Sequence, residues 1–358
     1  MNWLALNRRS VSTSKILITP DVETVQHTLL TRGTIVFDID FLLAQKAPCR
    51  LVHFSSDHLW QRRFTLYLNA DFSLSVEMRQ GSSRSYVRIS DTNFREAAKI
   101  RLSYVWDAPA KFGLLSIENT ESGEIHQTNI PLPVPLPLAD AKAIVLGGEN
   151  VRFDDRMVSS ALGDGGMPVG PVASIAAGAT IDTPEGPRPI ERLKMGDIVL
   201  TKDNGPQPVR WVLKNDLPAI GDTAPMRLRA PFFGLVNDVI VAGHQRVLIS
   251  GIETEYNLGQ DAALIDAQSL IGHPAAAPIS GALFTTYYQV LLDIHDCINV
   301  SGVWADSLYV GRLASTPKIL AATGLSEIPM SILPTHTARA HPLLRGYERQ
   351  ALLDTLTA

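Results

Sequence analysis

The chain has 358 residues, 45% of them hydrophobic and 19% charged, with a formal net charge of −4. That length exceeds one ordinary domain and the composition is that of a folded globular protein, so two domains are expected. The acidic balance and the scattering of Lys and Arg argue against a nucleic-acid partner, and the absence of any run of about eighteen apolar residues argues against a membrane span.

The first residues, "MNWLALNRRSVSTSK", are basic, but their apolar part is too short for a secretory h-region. No classical signal peptide is expected. The chain reads as soluble with its location open, and extracellular release by a non-classical route is kept as an option. From Gly33 onward the hydrophobic period is two. "GTIVFDIDF" (33–41), "RFTLYLN" (63–69), "LSVEMRQ" (74–80), "SYVRIS" (85–90), "IRLSYVWD" (100–107) and "GLLSIEN" (113–119) are short runs rich in β-branched and aromatic residues, punctuated by Gly, Asn, Asp and Ser. Short strands without intervening helical patterns predict an all-β fold with an N-terminal β-sandwich. In the strand Phe37 to Phe41, Asp38 and Asp40 alternate with apolar residues and read as a solvated face.

"IPLPVPLPLAD" (130–140) places proline at every second position, which favours an extended edge or spacer. The sandwich is expected to close near "AIVLGG" (143–148), giving a first domain at 1–150. The Gly-rich, aperiodic segment that follows predicts a flexible linker at 151–171, exposed to proteases. Cys49 and Cys297 belong to no CxxC or His-rich group, so neither a disulfide framework nor a structural zinc site is expected.

"TRGTIVFDIDF" and "KIRLSYVWDAPAKFGLLSIEN" together resemble strands of the laminin-G-like or concanavalin-like jelly rolls, over roughly 25–148. The resemblance implies a carbohydrate or protein ligand for this domain, with calcium held by loop carboxylates as an option. No ligand set is identifiable among the residues, and no other cofactor is expected.

The second half opens with "VASIAAGATIDTPEGPRPIERLKMGDIVLTKDNGPQPVRWVLK" (172–214), in which turns at Pro184-Glu185-Gly186 and Asp203-Asn204-Gly205 separate short strands. It continues through "DVIVAGHQRVLISG" (238–251) and "YYQVLLDIHDCINVSGVWADSLYVG" (287–311). In order and spacing these motifs resemble the Hedgehog/intein (Hint) self-processing domain of the bacterial type, over 172–312.

The resemblance implies a chemistry. A nucleophile at the first position attacks the carbonyl before it, turning an amide into an ester or thioester, and a His in the second block protonates the departing nitrogen. Loss of such a proton donor costs about 10²–10⁴ in rate. Carried onto this chain, the nucleophile is Ser174, where the family has Cys, and the attacked carbonyl belongs to Ala173. A serine hydroxyl depends more heavily than a thiol on an adjacent base. Gln245 stands at the expected His, with His244 one residue early. In a regular strand that shift turns the side chain to the opposite face, so His244 substitutes only if Gly243 permits a bulge or turn. Asp293 and His295 match the family's Asp-x-His, and Gln289 occupies a position that is often His.

Beyond Gly311 a C-terminal tail (313–358) carries one amphipathic helix, predicted over 342–356 from Leu343, Leu344, Tyr347, Ala351 and Leu352. His336 and His341 read as solvated loop residues. The ending lacks the His-Asn followed by Cys, Ser or Thr that splicing needs, so cleavage is the most the chain could do. Two functions follow: autoproteolysis at Ala173–Ser174 by an N-to-O acyl shift and hydrolysis, with the chain its own partner, or a Hint scaffold that no longer processes and acts as a binding or assembly module joined to the sandwich.

Overall fold

A computed structural model of the protein describes residues 2–9, 14–17, 28–41, 47–90 and 99–357. Residues 42–46 and 91–98 of the expected sandwich lie outside the described residues. The chain divides into two compact units, Met1–Gly170 and Pro171–Ala358, and both are all-β apart from short helices. Among the described residues no helix is long and apolar enough to cross a membrane.

In the first unit a seven-stranded antiparallel sheet runs in the order Ile125–Asn129, Phe112–Asn119, Lys99–Asp107, Arg32–Asp40, Met157–Gly163, Trp3–Arg8, Ser14–Leu17. A five-stranded sheet runs Val151–Phe153, Cys49–Ser56, Arg62–Leu68, Leu74–Gln80, Ser83–Ile89. Alternation decides which faces meet. Phe64, Leu66 and Leu68 of one sheet and Ile35, Phe37 and Ile39 of the other point into one buried core, where the Phe64 and Tyr104 rings meet edge to face at 5.8 Å. Two sheets that bury one face each against the other form a β-sandwich. Gly33 lies opposite Trp106, and a Cβ at Gly33 would come within 2.7 Å of the indole. Only the bare backbone lets that ring lie across the strand.

Three expectations for this unit are corrected. The segment 151–171 is not a free linker, because it supplies two strands, and Met157–Gly163 runs between Arg32–Asp40 and Trp3–Arg8 inside the larger sheet. Its polarity misled because the hydroxyls are satisfied internally: Ser159 donates to the Asp38 carboxylate and Ser160 to the Val145 carbonyl. Asp38 is therefore buried and not solvated, with Arg101 donating to its other oxygen at 2.8 Å. The sandwich does not close near 143–148: Leu138–Leu146 form a helix that starts after Pro137 and buries Leu138, Ala141, Ile144 and Val145, and two further strands follow it. The last four residues of the helix, Ala143–Leu146, are a short apolar run with no visible period, so strand and helix cannot be told apart from sequence there.

The second unit holds two six-stranded sheets. One runs Trp211–Pro218, Phe284–Leu291, Ile175–Ala176, Val239–Ala242, Pro225–Leu228, Ala276–Pro278. The other runs Arg188–Pro189, Thr180–Ile181, Cys297–Val300, Val303–Asp306, Arg246–Ser250, Ala262–Asp266. Ile175, Val241, Val247, Val290 and Ile298 are among the residues of their shared core. The expected turn at Asp203-Asn204-Gly205 joins Ile198–Leu200 to Pro206–Pro208, with Gly205 at a φ of +66° that a side chain would disfavour.

The tail belongs to this unit. Leu264 N–H donates to the Pro342 carbonyl at 2.8 Å, and Leu344 N–H to the Leu264 carbonyl at 3.0 Å. The helix consequently spans Gly346–Thr357 and not 342–356, since the backbone of 342–344 is engaged with a strand. Leu344 and Leu352 enter the core, whereas Tyr347, expected on the apolar stripe, is exposed.

Candidate functional site

The short strand Ile175–Ala176 pairs on one side with Phe284–Leu291 and on the other with Val239–Ala242. Ser174, just before it, continues both ladders: its N–H donates to the Tyr288 carbonyl at 3.3 Å, and its carbonyl accepts from Ala242 N–H at 2.7 Å. That pairing sets Ser174 beside Gln289 of one neighbouring strand and beside the turn that ends the other. The preceding Ala173 is fully buried, and its N–H donates to Asn215 Oδ1 at 2.9 Å.

The turn settles which residue of the His-Gln pair faces inward. Gln245 N–H donates to the Ala242 carbonyl at 2.9 Å, which closes a four-residue reversal over Ala242, Gly243, His244 and Gln245. The chain therefore does not continue as a regular strand. Gln245 is carried into the interior toward Ser174, and His244 is turned the other way, its Nδ1 2.9 Å from the Asp222 carbonyl. A Cβ at Gly243 would lie 3.3 Å from both the Asp222 carbonyl and the Gln268 side chain, so the reversal is packed closely. His244 thus stands on the far side of the turn from Ser174.

Around Ser174 the polar groups form a closed network. Ser174 Oγ–H donates to Gln245 Oε1, and Gln289 Nε2 donates to Ser174 Oγ at 3.0 Å and to Gln245 Oε1 at 3.1 Å. Gln245 Nε2 donates to Asp306 Oδ1 and to the Arg246 carbonyl, each at 2.8 Å. Those two acceptors fix which end of the Gln245 amide carries the hydrogens, so its oxygen must face Ser174. Ser174, Gln245, Gln289 and Asp306 are all buried. Buried polar groups with complete hydrogen bonding rigidify a site, whereas leaving one unpaired costs about 1–3 kcal/mol.

Asp306, at the end of Val303–Asp306, was not singled out by sequence. Its Oδ2 lies 3.7 Å from Arg246, 3.7 Å from Arg339 and 3.8 Å from His295 Nε2. Burial pushes this carboxyl up, but the facing His295 ring and the charges of Arg246 and Arg339 outweigh it, so the net shift is downward. Asp306 is an anion faced by two arginines, one from the strand Arg246–Ser250 and one from the tail.

The two residues of the Asp-x-His match part company. Asp293 faces outward and forms a bidentate ion pair with Arg210, with both side chains about 40% exposed. It does not join the site. His295 is buried, accepts from Ala340 N–H through Nδ1 at 3.1 Å and turns Nε2 toward Asp306. It reaches Ser174 only through Asp306 and Gln245.

The tail histidines are not solvated. His336 is buried, with Nε2 3.0 Å from the Leu292 carbonyl and Nδ1 accepting from Val310 N–H at 3.2 Å. Burial lowers its pKa to about 4 despite the Leu292 contact, so the ring is neutral near pH 7. His341 Nε2 lies 2.8 Å from Asp203 Oδ2. Arg339, stacked 4.0 Å over the Tyr309 ring, is likewise drawn down by burial, to about 10. Sequence gave no sign of these roles because the tail has no motif, and only folding returns it to the site. Among the described residues no three His, Cys, Asp or Glu side chains converge as metal ligands would.

Residues 173–312 match the family model described as Hint domain. A search of curated protein sequences returned no match. Among solved structures, the LG1-3 region of the laminin alpha2 chain is similar over 86% of this chain and 56% of that one, at 9% identity and a TM-score of 0.24. The enzymatically active domain of bacteriophage CBA120 tailspike protein 2 is similar over 39% of this chain and 20% of that one, at 11% identity and a TM-score of 0.22. The chain thus spans about half and one fifth of the lengths of these two structures.

Proposed function

We propose that the Hint domain at 173–312 keeps the fold of a self-processing domain without cutting its own chain, and serves as a rigid binding or assembly module joined to the β-sandwich. One observation carries this reading: the Ser174 hydroxyl is bonded to two carboxamides, those of Gln245 and Gln289. A hydroxyl becomes a competent nucleophile at neutral pH when an adjacent group takes its proton. A carboxamide oxygen accepts a hydrogen bond but not a proton in that range. The same amides cannot protonate the leaving nitrogen, and the absence of acid–base assistance costs about 10²–10⁴ in rate. His244, next to Gln245 in sequence, is bonded to Asp222 on the other side of the turn.

The test is the intact mass of the full chain over a day at pH 7 to 8, with and without hydroxylamine, beside Ser174→Ala. A single unchanged mass is expected under every condition. Fragments beginning at Ser174, hastened by hydroxylamine and missing from the Ala variant, would overturn the reading and establish autoproteolysis.

A further inference from the structure

Gln245 joins Ser174 to Asp306 in a way that has chemical meaning. One end of its side chain accepts the Ser174 Oγ proton, and the other donates to Asp306 Oδ1 at 2.8 Å. These are the two roles that an imidazole plays between a serine and a carboxylate: one nitrogen accepts from the hydroxyl and the other donates to the acid that orients the ring. The Asp306 carboxylate is buried and faced by the guanidiniums of Arg246 and Arg339, as an orienting acid must be to stay ionised. The attacked carbonyl carbon of Ala173 is bonded to the Ser174 nitrogen, so nucleophile and target are joined within one short loop of atoms.

We infer that Asp306 is a positioning residue for side chain 245, and that Ser174, Gln245 and Asp306 form a serine–base–carboxylate geometry in which an amide occupies the place of the base. This rests on the reading that the unaltered chain does not process itself. With an imidazole at 245, Ser174 Oγ gives its proton to the ring and attacks the Ala173 carbonyl carbon. The tetrahedral centre then collapses, the bond to the Ser174 nitrogen breaks, and that nitrogen takes the proton back from the ring. An ester between Ala173 and Ser174 Oγ results, with a free Ser174 amine. Water opens it to the Ala173 carboxylate and the serine hydroxyl, and hydroxylamine opens it to the hydroxamate.

Gln245→His in the full chain is the experiment, read by intact mass with and without hydroxylamine. Cleavage at Ala173–Ser174 is expected to rise about 10²–10⁴-fold over the unaltered chain. Adding Asp306→Asn should slow it at least tenfold and move the midpoint of the pH–rate profile downward. The introduced ring would be faced by Asp306 from Val303–Asp306, Arg246 from its own strand, His295 from the loop before Cys297–Val300 and Arg339 from the tail, with Asp266 and Tyr309 behind the two arginines. Losing the one facing carboxylate leaves cations, which lower an imidazole pKa. A purely structural Asp306 would alter the unfolding midpoint and leave the pH midpoint in place, which would overturn the inference. So would a folded Gln245→His chain that stays intact.

Cleavage of the unaltered chain would instead sink the proposed function, so the two failures are distinct. Should Gln245→His not fold, side-chain amide exchange in the unaltered chain decides the positioning. Gln245 Nε2 protons should exchange far more slowly than those of exposed glutamines, and equal rates would overturn the inference.

Discussion

Arg339 of the tail and Asp306 of the second unit's sheet meet at 3.7 Å, Nη1 to Oδ2, with both side chains largely buried. Residues beyond the matched Hint segment thus complete the charge balance of its polar interior. Removing one partner of a buried ion pair costs about 3 kcal/mol, because the other charge stays behind. For Arg339→Met, hydrogen exchange of the Arg246–Ser250 amides should accelerate about 10²-fold. Unchanged protection would show that the tail contributes nothing to this interior.

His336 makes stability depend on pH. Its folded pKa is depressed from 6.5 to about 4, so between those values the unfolded chain binds a proton that the folded chain does not. Stability therefore falls as pH drops from 6.5 toward 4 and levels off below, by about 3 kcal/mol at most. Denaturant unfolding across that window should show the slope in the unaltered chain, and His336→Asn should remove it. A slope that persists in the variant would assign the effect to other groups.

The two thiols should differ in reactivity. Burial raises the pKa of Cys297, and the Asp306, Asp296 and Asp203 carboxylates push it further up. Cys49 is also raised by burial, but it is only partly covered and accepts a hydrogen bond from Arg156 Nη2 at 2.8 Å. A thiol reagent at pH 8 is expected to modify Cys49 alone until denaturant is added. Cys49→Ser should abolish the native reaction, and fast labelling of Cys297 in the folded chain would contradict its burial.

In the sandwich, Gly33→Ala drives a methyl to within 2.7 Å of the Trp106 ring and 2.9 Å of the Gly163 carbonyl. Overpacking of this kind costs about 1–3 kcal/mol. The thermal transition should fall, and Trp106 fluorescence should shift as the ring loses its bond to the Leu30 carbonyl. An unchanged transition would mean that the two strands separate at little cost.

Much of the architecture was legible because it is written in short periods. Strands such as Arg62–Leu68 alternate, turns such as Asp203-Asn204-Gly205 carry their own residue types, and the spacing around Ser174 aligned with a family. The helix Leu138–Leu146 was missed because prolines lead into it and its apolar end, Ala143–Leu146, is too short to show a period, and the strand Met157–Gly163 because its serines bond inside the protein.

The sequence by itself determined that Ser174, Gln245 and Gln289 stand where a nucleophile and two imidazoles were expected, since residue identity at a motif position needs no coordinates. Only the tertiary structure decided that the reversal at Gly243 turns Gln245 inward and His244 away, and that Asp293 spends its charge on Arg210. It also decided that Asp306 and Arg339, 33 residues apart in the chain, share one buried site. Side-chain direction depends on the backbone path of several strands at once, and a charge becomes structural only when folding removes its water.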